Sequence, residues 1–451
     1  MYSRGLNEEE TRLARGLAKE LGTKNLVCGY LEPDNCFNYR LDGTQDAKLD
    51  EVRSAAATLL VGDVFMTSPV AAGPLTEARY ADRKNRLVVI DSLRTKQAGF
   101  AHQFIQVKPG TEGFALLALA GILGKTAGVD PDRYCQLSGV DRQSLEQAAK
   151  TLQAGATKFV GCAMHMGRVG FPVLVSLAAQ LVALKLKAGF TGFGEGLVPP
   201  GMMKFGELRK AAGEGRIKLL LWFGSMYPYS YPEVFPELAK VEHRMVTSIF
   251  KPEQSLPGLV LPVPSELEKE SSGSGYWGKV ERHPLAAPCS GSRPAAWIME
   301  QLAEPSAVAE EPQKPMSAAE VAKLGARYAD GKQEDAGLVL LGEKRASGIG
   351  GFYTDEEELG MNPADAARLE LTDQSAVEVE TVQSKVRCRV HLTQSTPVGA
   401  VSIGVNVHRN RALFPILTDP VLGETVIPPV AVKVAKTSEA ELLPIEAVKE
   451  G

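Results

Sequence analysis

The hydrophobic period changes along this chain, and that change limits the folds open to it more than any other feature. Up to about residue 302 the sequence alternates short, branched apolar runs with helix-like stretches. "AATLLVGDV", "RLVVID" and "HQFIQV" read as buried strands, and "GPLTEARYADRKN" and "GTEGFALLALAGILGKTAG" read as helices between and after them. Strand, helix, strand in that order predicts a parallel sheet with right-handed crossovers. The pattern restarts at "ATKFVGCAMH", passes through the nearly all-apolar helix "GFPVLVSLAAQLVALKLKAG", and continues through "IKLLLWFGSMYP", "HRMVTSIF" and "GLVLPVP". Residues 303–335 are rich in Ala, Glu, Pro and Lys and read as a linker followed by a helix. Beyond them the period falls to two: "SAVEVETV", "KVRCRVHL", "GAVSIGV" and "PPVAVKVAK" are half-buried strands of a barrel or sandwich. The expected organisation is a first α/β domain over 1–150, a second over 151–302, the linker and helix over 303–335, and a β-barrel over 336–451.

A length of 451 residues suits several domains, and 44% hydrophobic residues can fill their cores. The net charge of −4 gives no basic excess for a nucleic-acid track. The first residues, "MYSRGLNEEETRLARGLAKEL", form a charged helix with no apolar signal-peptide core, and no apolar run approaches the ~20 residues of a membrane span. The expectation is a cytoplasmic protein without direct membrane insertion.

Six cysteines (Cys28, Cys36, Cys135, Cys162, Cys289 and Cys388) include no CxxC pair, so a short loop wrapping an iron–sulphur cluster is not expected. The six histidines, at 102, 165, 243, 283, 391 and 408, form neither HxxxH nor HExxH, and no metal site is expected from them. The better candidates are strand ends, because ligands of open α/β sheets bind outside the carboxyl ends of the strands. Gly62-Asp63 and Gly224-Ser225 would let backbone approach a phosphate. Asp91, with Arg94 and Thr95 beside it, could accept hydrogen bonds from a ribose or a guanine edge. The other reading is that each Asp or Ser caps the helix that follows. None of these turns is a GxGxxG loop, which argues against an ordinary nicotinamide site. A second group lies in "GVNVHRNRALFPILTDPVLGE", where His408, Asn410, Thr418 and Asp419 could clasp a nucleotide-like ligand or simply form a polar surface loop.

Several blocks also carry a family likeness. "MNPADAARLELTDQSAVEVETVQSKVRCRVHLTQSTPVGAV" and "HRNRALFPILTDPVLGETVIPPVAVKV" resemble the C-terminal dinucleotide-binding module of the molybdopterin oxidoreductases, the family of formate dehydrogenase. "LPGLVLPVPSELEKESSGSGYWGKVER", "FVGCAMHMGRVGF", "GFTGFGEGLVPPGMMKFGE" and "LLLWFGSMYP" are similar to further blocks in the family's order. The resemblance, over roughly residues 1–440, implies two pseudo-symmetric Rossmann-like parallel-sheet domains and a C-terminal double-psi β-barrel. Within that barrel the Asn-Pro-Ala-Asp-Ala-Ala turn would bridge two strands. The residues named above would line the cofactor pocket.

The departures are as informative. The opening residues resemble a block that follows the family's cluster domain, and no CxxC cluster motif or metal-ligating residue of the family pattern is identifiable. "LELTDQSAV" and "TVQSKV" lack glycines usual at those turns. The resemblance with these losses implies a non-catalytic scaffold in a multi-subunit electron-transfer complex, with iron–sulphur and/or flavin redox subunits as partners and no cofactor of its own. The alternative is a pterin-binding subunit of a formate or formylmethanofuran dehydrogenase type of complex, holding molybdopterin guanine dinucleotide with Mo or W. "GYWGKVERHPLAAP" and "YPYSYPEVFPEL" place aromatics and prolines in loops suited to partner contacts.

Overall fold

The computed structural model describes residues 6–27, 33–194, 203–224, 235–249, 258–265, 267–308, 314–331, 337–343, 358–405 and 408–438. The chain divides into two compact units. One comprises Met1–Asn38, Glu195–Lys314 and Leu422–Thr425; the other comprises Tyr39–Gly194, Pro315–Val421 and Val426–Gly451.

The larger unit is built on five parallel strands: β1 (Ala57–Val61), β2 (Arg86–Asp91), β3 (Gln103–Gln106), β4 (Lys158–Ala163) and β5 (Gly189–Phe193), in the order β3-β2-β1-β4-β5. Every residue of β1 is buried, as an apolar strand covered on both faces should be. The expected boundary at residue 150 therefore falls inside this unit, because β4 pairs in register with β1 (Ala57↔Lys158) and β5 pairs with β4. What looks like a restart in the sequence is the chain returning to the sheet after three successive helices between β3 and β4. Among the described residues the second parallel sheet has three strands, so the two sheets differ in size there.

Helices Glu112–Leu123 and Pro172–Leu186 pack against each other, which explains why both are apolar nearly all round. Helix Ala318–Ala329, opened by a Ser317/Glu320 capping box, docks on both. Tyr328 stacks on Phe171 with ring centroids 4.3 Å apart. The helix beyond the linker is thus part of this core.

The same unit carries a closed barrel of β11 (Leu338–Glu343), β12 (Glu358–Met361), β13 (Ala376–Glu380), β14 (Lys385–Leu392), β15 (Ala400–Gly404) and β18 (Val430–Lys436), in the order β11-β15-β12-β14-β13-β18. Two of its pairings are parallel, β11 with β15 and β12 with β14. Leu340, Leu359, Val377, Val390 and Ile403 are fully buried in it. Between β12 and β13 lies the helix Pro363–Arg368. Asn362 caps it by accepting from Ala364 N–H (3.0 Å) and donates from Nδ2 to Thr396 O (3.0 Å). Buried Asp365 accepts from Gly399 N–H at 2.7 Å. This one helical turn pins the bend that leads into β15.

The smaller unit holds three parallel strands, β6 (Leu219–Trp222), β7 (His243–Ser248) and β8 (Leu259–Pro262), and a hairpin of β9 (Ser271–Gly275) and β10 (Gly278–Arg282). Helix Glu8–Glu20 packs on helix Ala295–Ala303 through Leu13, Leu17, Ile298 and Met299. The opening helix therefore belongs with the second α/β region rather than with β1, a further correction to the expected 1–150 domain. Buried Glu10 ties it there, accepting from Lys269 Nζ (2.5 Å) and Ala295 N–H (3.1 Å). Among the described residues no helix is long and apolar enough to cross a membrane.

Candidate functional site

In the five-stranded sheet the connections leave β1 toward β2 on one side and return as β4 on the other. The carboxyl ends of β1 and β4 therefore form the topological switch point, the usual place for a ligand. There the chain gathers Gly62, Asp63, Asp91, Glu112, His165 and Arg168.

Gly62 ends β1 with φ +70°, and a Cβ on it would lie 2.3 Å from the Ala163 carbonyl oxygen. Its backbone is thus needed for contact between strand ends. Gly62→Ala is expected to cost more than about 2 kcal/mol, combining a left-handed backbone with a clash that only a backbone shift relieves. A melting temperature equal to that of the wild type would contradict this.

Asp63 caps the next helix, accepting weakly from Met66 N–H at 3.3 Å. Burial pushes its pKa up to about 6; Arg168 opposes the rise, while Asp91 and Glu343 add to it. Asp91 ends β2 at 1% exposure and does not cap a helix. Arg168 grips it in a two-pronged pair, Nε to Oδ1 at 2.9 Å and Nη2 to Oδ2 at 2.5 Å. Arg168 comes from the loop after β4, which is held by Gly167 N–H to Ile427 O (2.7 Å) and by Gly342 N–H of β11 to Gly167 O (2.8 Å). Barrel and sheet thus set the guanidinium jointly.

Glu112 stands at the first position of its otherwise apolar helix and is 2% exposed. Neither of its carboxyl oxygens completes a hydrogen bond of ordinary geometry among the described residues, although the Ser92 hydroxyl lies close enough to favour ionisation slightly. Burial raises its pKa to about 8. His165 Nε2 faces the Asp63 carbonyl oxygen at 3.1 Å and Thr67 Oγ1 at 2.9 Å, while the Thr67 hydroxyl donates to the same carbonyl. Since a carbonyl only accepts, Nε2 carries the proton. Gln97, fully buried, closes the turn by accepting from Val64 N–H (3.0 Å) and donating to Gly62 O.

Of the other candidates in the larger unit, Arg94, Asn410, Thr418 and Asp419 are not among the residues gathered here. Arg94 is exposed, with its guanidinium 5.5 Å over the Phe104 ring. Gly224, at the end of β6 in the smaller unit, donates its N–H to Thr247 Oγ1 at 2.8 Å. Asn410 donates to Gly404 O (2.9 Å). Asp419 accepts from the Tyr328 hydroxyl (2.5 Å) and from Val421 N–H (2.8 Å), and Thr418, in the two-residue strand β16 (Leu417–Thr418), is exposed. Ser225 and the side chain of His408 lie outside the described residues. Sequence reasoning missed Arg168, Glu112, His165 and Gln97. Two signals were there to find: a lone acid heading an apolar helix in "TEGFALLALAG", and an arginine between glycines after a strand in "HMGRVG".

No protein-family model and no curated protein matches the sequence. The fold is shared with acetylene hydratase. The solved structure of acetylene hydratase from Pelobacter acetylenicus matches with a TM-score of 0.71 at 12% identity, covering 97% of this chain and 86% of that one. At that identity the likeness concerns fold alone.

The guanine-dinucleotide pterin of the alternative reading would bring a diphosphate to such a switch point, where backbone N–H groups and cations would have to receive it. The described residues here do not fit that demand. Among the described residues Asp63, Asp91, Glu112 and Glu343 surround Arg168, whose Nε and Nη2 edge is already taken by Asp91. Among the described residues the cleft that Asp91, Glu112, His165 and Arg168 line with Val61, Ala163, Val169 and Val175 leaves no room for a water molecule. Among the described residues no group of three or more His, Cys, Asp or Glu is placed to hold a metal ion.

Proposed function

We propose that this chain is a non-catalytic subunit with the molybdopterin-oxidoreductase fold, acting as scaffold in a multi-subunit electron-transfer complex beside iron–sulphur and/or flavin redox subunits. In this reading the six-stranded barrel is a double-psi barrel, which its two parallel pairings support. A fold match spanning nearly the whole chain is consistent with the family that the sequence blocks resemble. The observation that carries the proposal is the Asp91–Arg168 pair, which closes the switch point with an acid-lined, filled interior. A scaffold needs a stable core there, whereas a dinucleotide site needs open donors.

The second reading is a pterin-holding catalytic subunit whose cluster domain is a separate chain. It draws on the same fold match, since acetylene hydratase is by its name an enzyme. Metal analysis and acid-released pterin fluorescence, on the chain purified from native extract with whatever accompanies it, separate the two. The expected result is co-purifying redox subunits, with neither molybdenum, tungsten nor pterin in stoichiometric amount on this chain. Stoichiometric pterin together with either metal would overturn the scaffold reading.

A further inference from the structure

At the opposite, amino-terminal end of the five-stranded sheet lies a group of cations that the switch point does not use. Arg79 lies in the last turn of the helix Pro69–Ala81, Arg83 and Lys84 occupy the turn after it, Arg86 begins β2, and His102 immediately precedes β3. Among the described residues none of the four Arg and Lys side chains has a carboxylate partner. The adjacent acids are engaged elsewhere: Glu77 pairs with Arg53 (3.1 Å), and Asp82 accepts from Lys84 N–H (2.8 Å). Among the described residues Arg79 donates to Phe100 O (3.3 Å), and Arg86 to Arg83 O (2.7 Å) and Asn85 O (3.2 Å).

His102 supplies the sharper observation. Its Nδ1 accepts from Leu87 N–H at 3.1 Å, which places the proton of the neutral ring on Nε2. That Nε2–H faces Arg86 Nη1, another donor, at 3.3 Å. Partial burial and the charges of Arg79 and Arg86 hold the imidazole pKa below its usual value, so the ring stays neutral and the two donors meet without an acceptor. A carboxylate oxygen received by both would resolve the conflict. Tyr80 and Phe100, 62% and 42% exposed, flank the cations and give the patch the aromatic and arginine composition of protein interfaces.

We propose that this patch receives an acidic segment of a partner protein, with one carboxylate shared between Arg86 and His102. The rest of the chain favours a protein over a nucleic acid, because a net charge of −4 repels a polyanion that runs past the patch. The inference deepens the subunit reading and rests on it, but its test is independent of co-purification.

The experiment titrates the full chain with a labelled hexaglutamate peptide at low ionic strength, following anisotropy and the His102 imidazole resonances. Peptide should shift the Nε2 signal and raise the His102 pKa. Arg79→Gln with Arg86→Gln should weaken binding about tenfold or more, while Arg216→Gln, an exposed arginine bonded to Glu214, should leave it unchanged. If circular dichroism shows the double variant unfolded, Arg83→Gln with Lys84→Gln takes its place, and weaker binding is again expected. No binding, equal binding by the folded variants, or tighter binding of a single-stranded oligonucleotide of equal charge would each overturn the proposal.

Discussion

Arg168→Met is expected to lower the free energy of unfolding by about 3–5 kcal/mol at neutral pH. The two-pronged pair buries both partners, at 2% and 1% side-chain exposure, and removing the guanidinium strands Asp91 in a low dielectric beside Asp63, Glu112 and Glu343. The pair itself need not be strongly stabilising, since two desolvated ions roughly repay their own hydration; the loss comes from leaving one alone. Asp91 would then take up a proton, so the loss should shrink as pH falls. Asp91→Asn added to Arg168→Met should recover much of it by removing the stranded charge. Urea unfolding of the three proteins is the measurement, and a single-variant loss under about 1 kcal/mol would show that water or rearrangement already compensates Asp91.

Glu112→Gln is expected to act in the opposite sense and to depend on pH. The folded-state pKa of about 8 lies above the ordinary 4.5, so between those values the folded protein keeps a proton that the unfolded chain has released. The stability tied to the protonated acid is whole below about pH 4.5 and is lost as pH rises through 8. The gap corresponds to about 5 kcal/mol at ~1.4 kcal/mol per pH unit. Glutamine copies the neutral form, so wild type and variant should match near pH 4.5 and diverge until the variant leads by several kcal/mol above pH 8. Asp63, raised to about 6, adds the same slope to both proteins between its ordinary 3.8 and 6. Parallel stability curves across this range would refute the assignment of the proton to Glu112.

Local sequence determined much of this protein by itself. "ATLLV", "RLVVID" and "KFVGCA" are apolar on both faces over strand lengths, so they could only be buried strands. "KVRCRVHL" alternates and forms a half-buried barrel strand, and Asn362-Pro363 announces a cap and a first helical turn. That Asp63 could cap a helix was also legible, because capping acts over three residues.

The tertiary structure alone decided which strands share a sheet. β4 joins β1 across ninety-odd residues, and strand-length patterns are the same whether a parallel neighbour lies near or far in the chain. β12 stayed hidden because "ELGM" is only four residues long and follows a run of acids, so nothing periodic marks it. The role of Asp91 was decided at the same level. In sequence it is a strand-end carboxylate open to a ribose; in the fold, Arg168 lies 77 positions away and is carried to it by a loop clamped between sheet and barrel. Hydrophobic period is a local property and survives in the text of the chain, whereas charge pairing depends on which loops the completed core brings together.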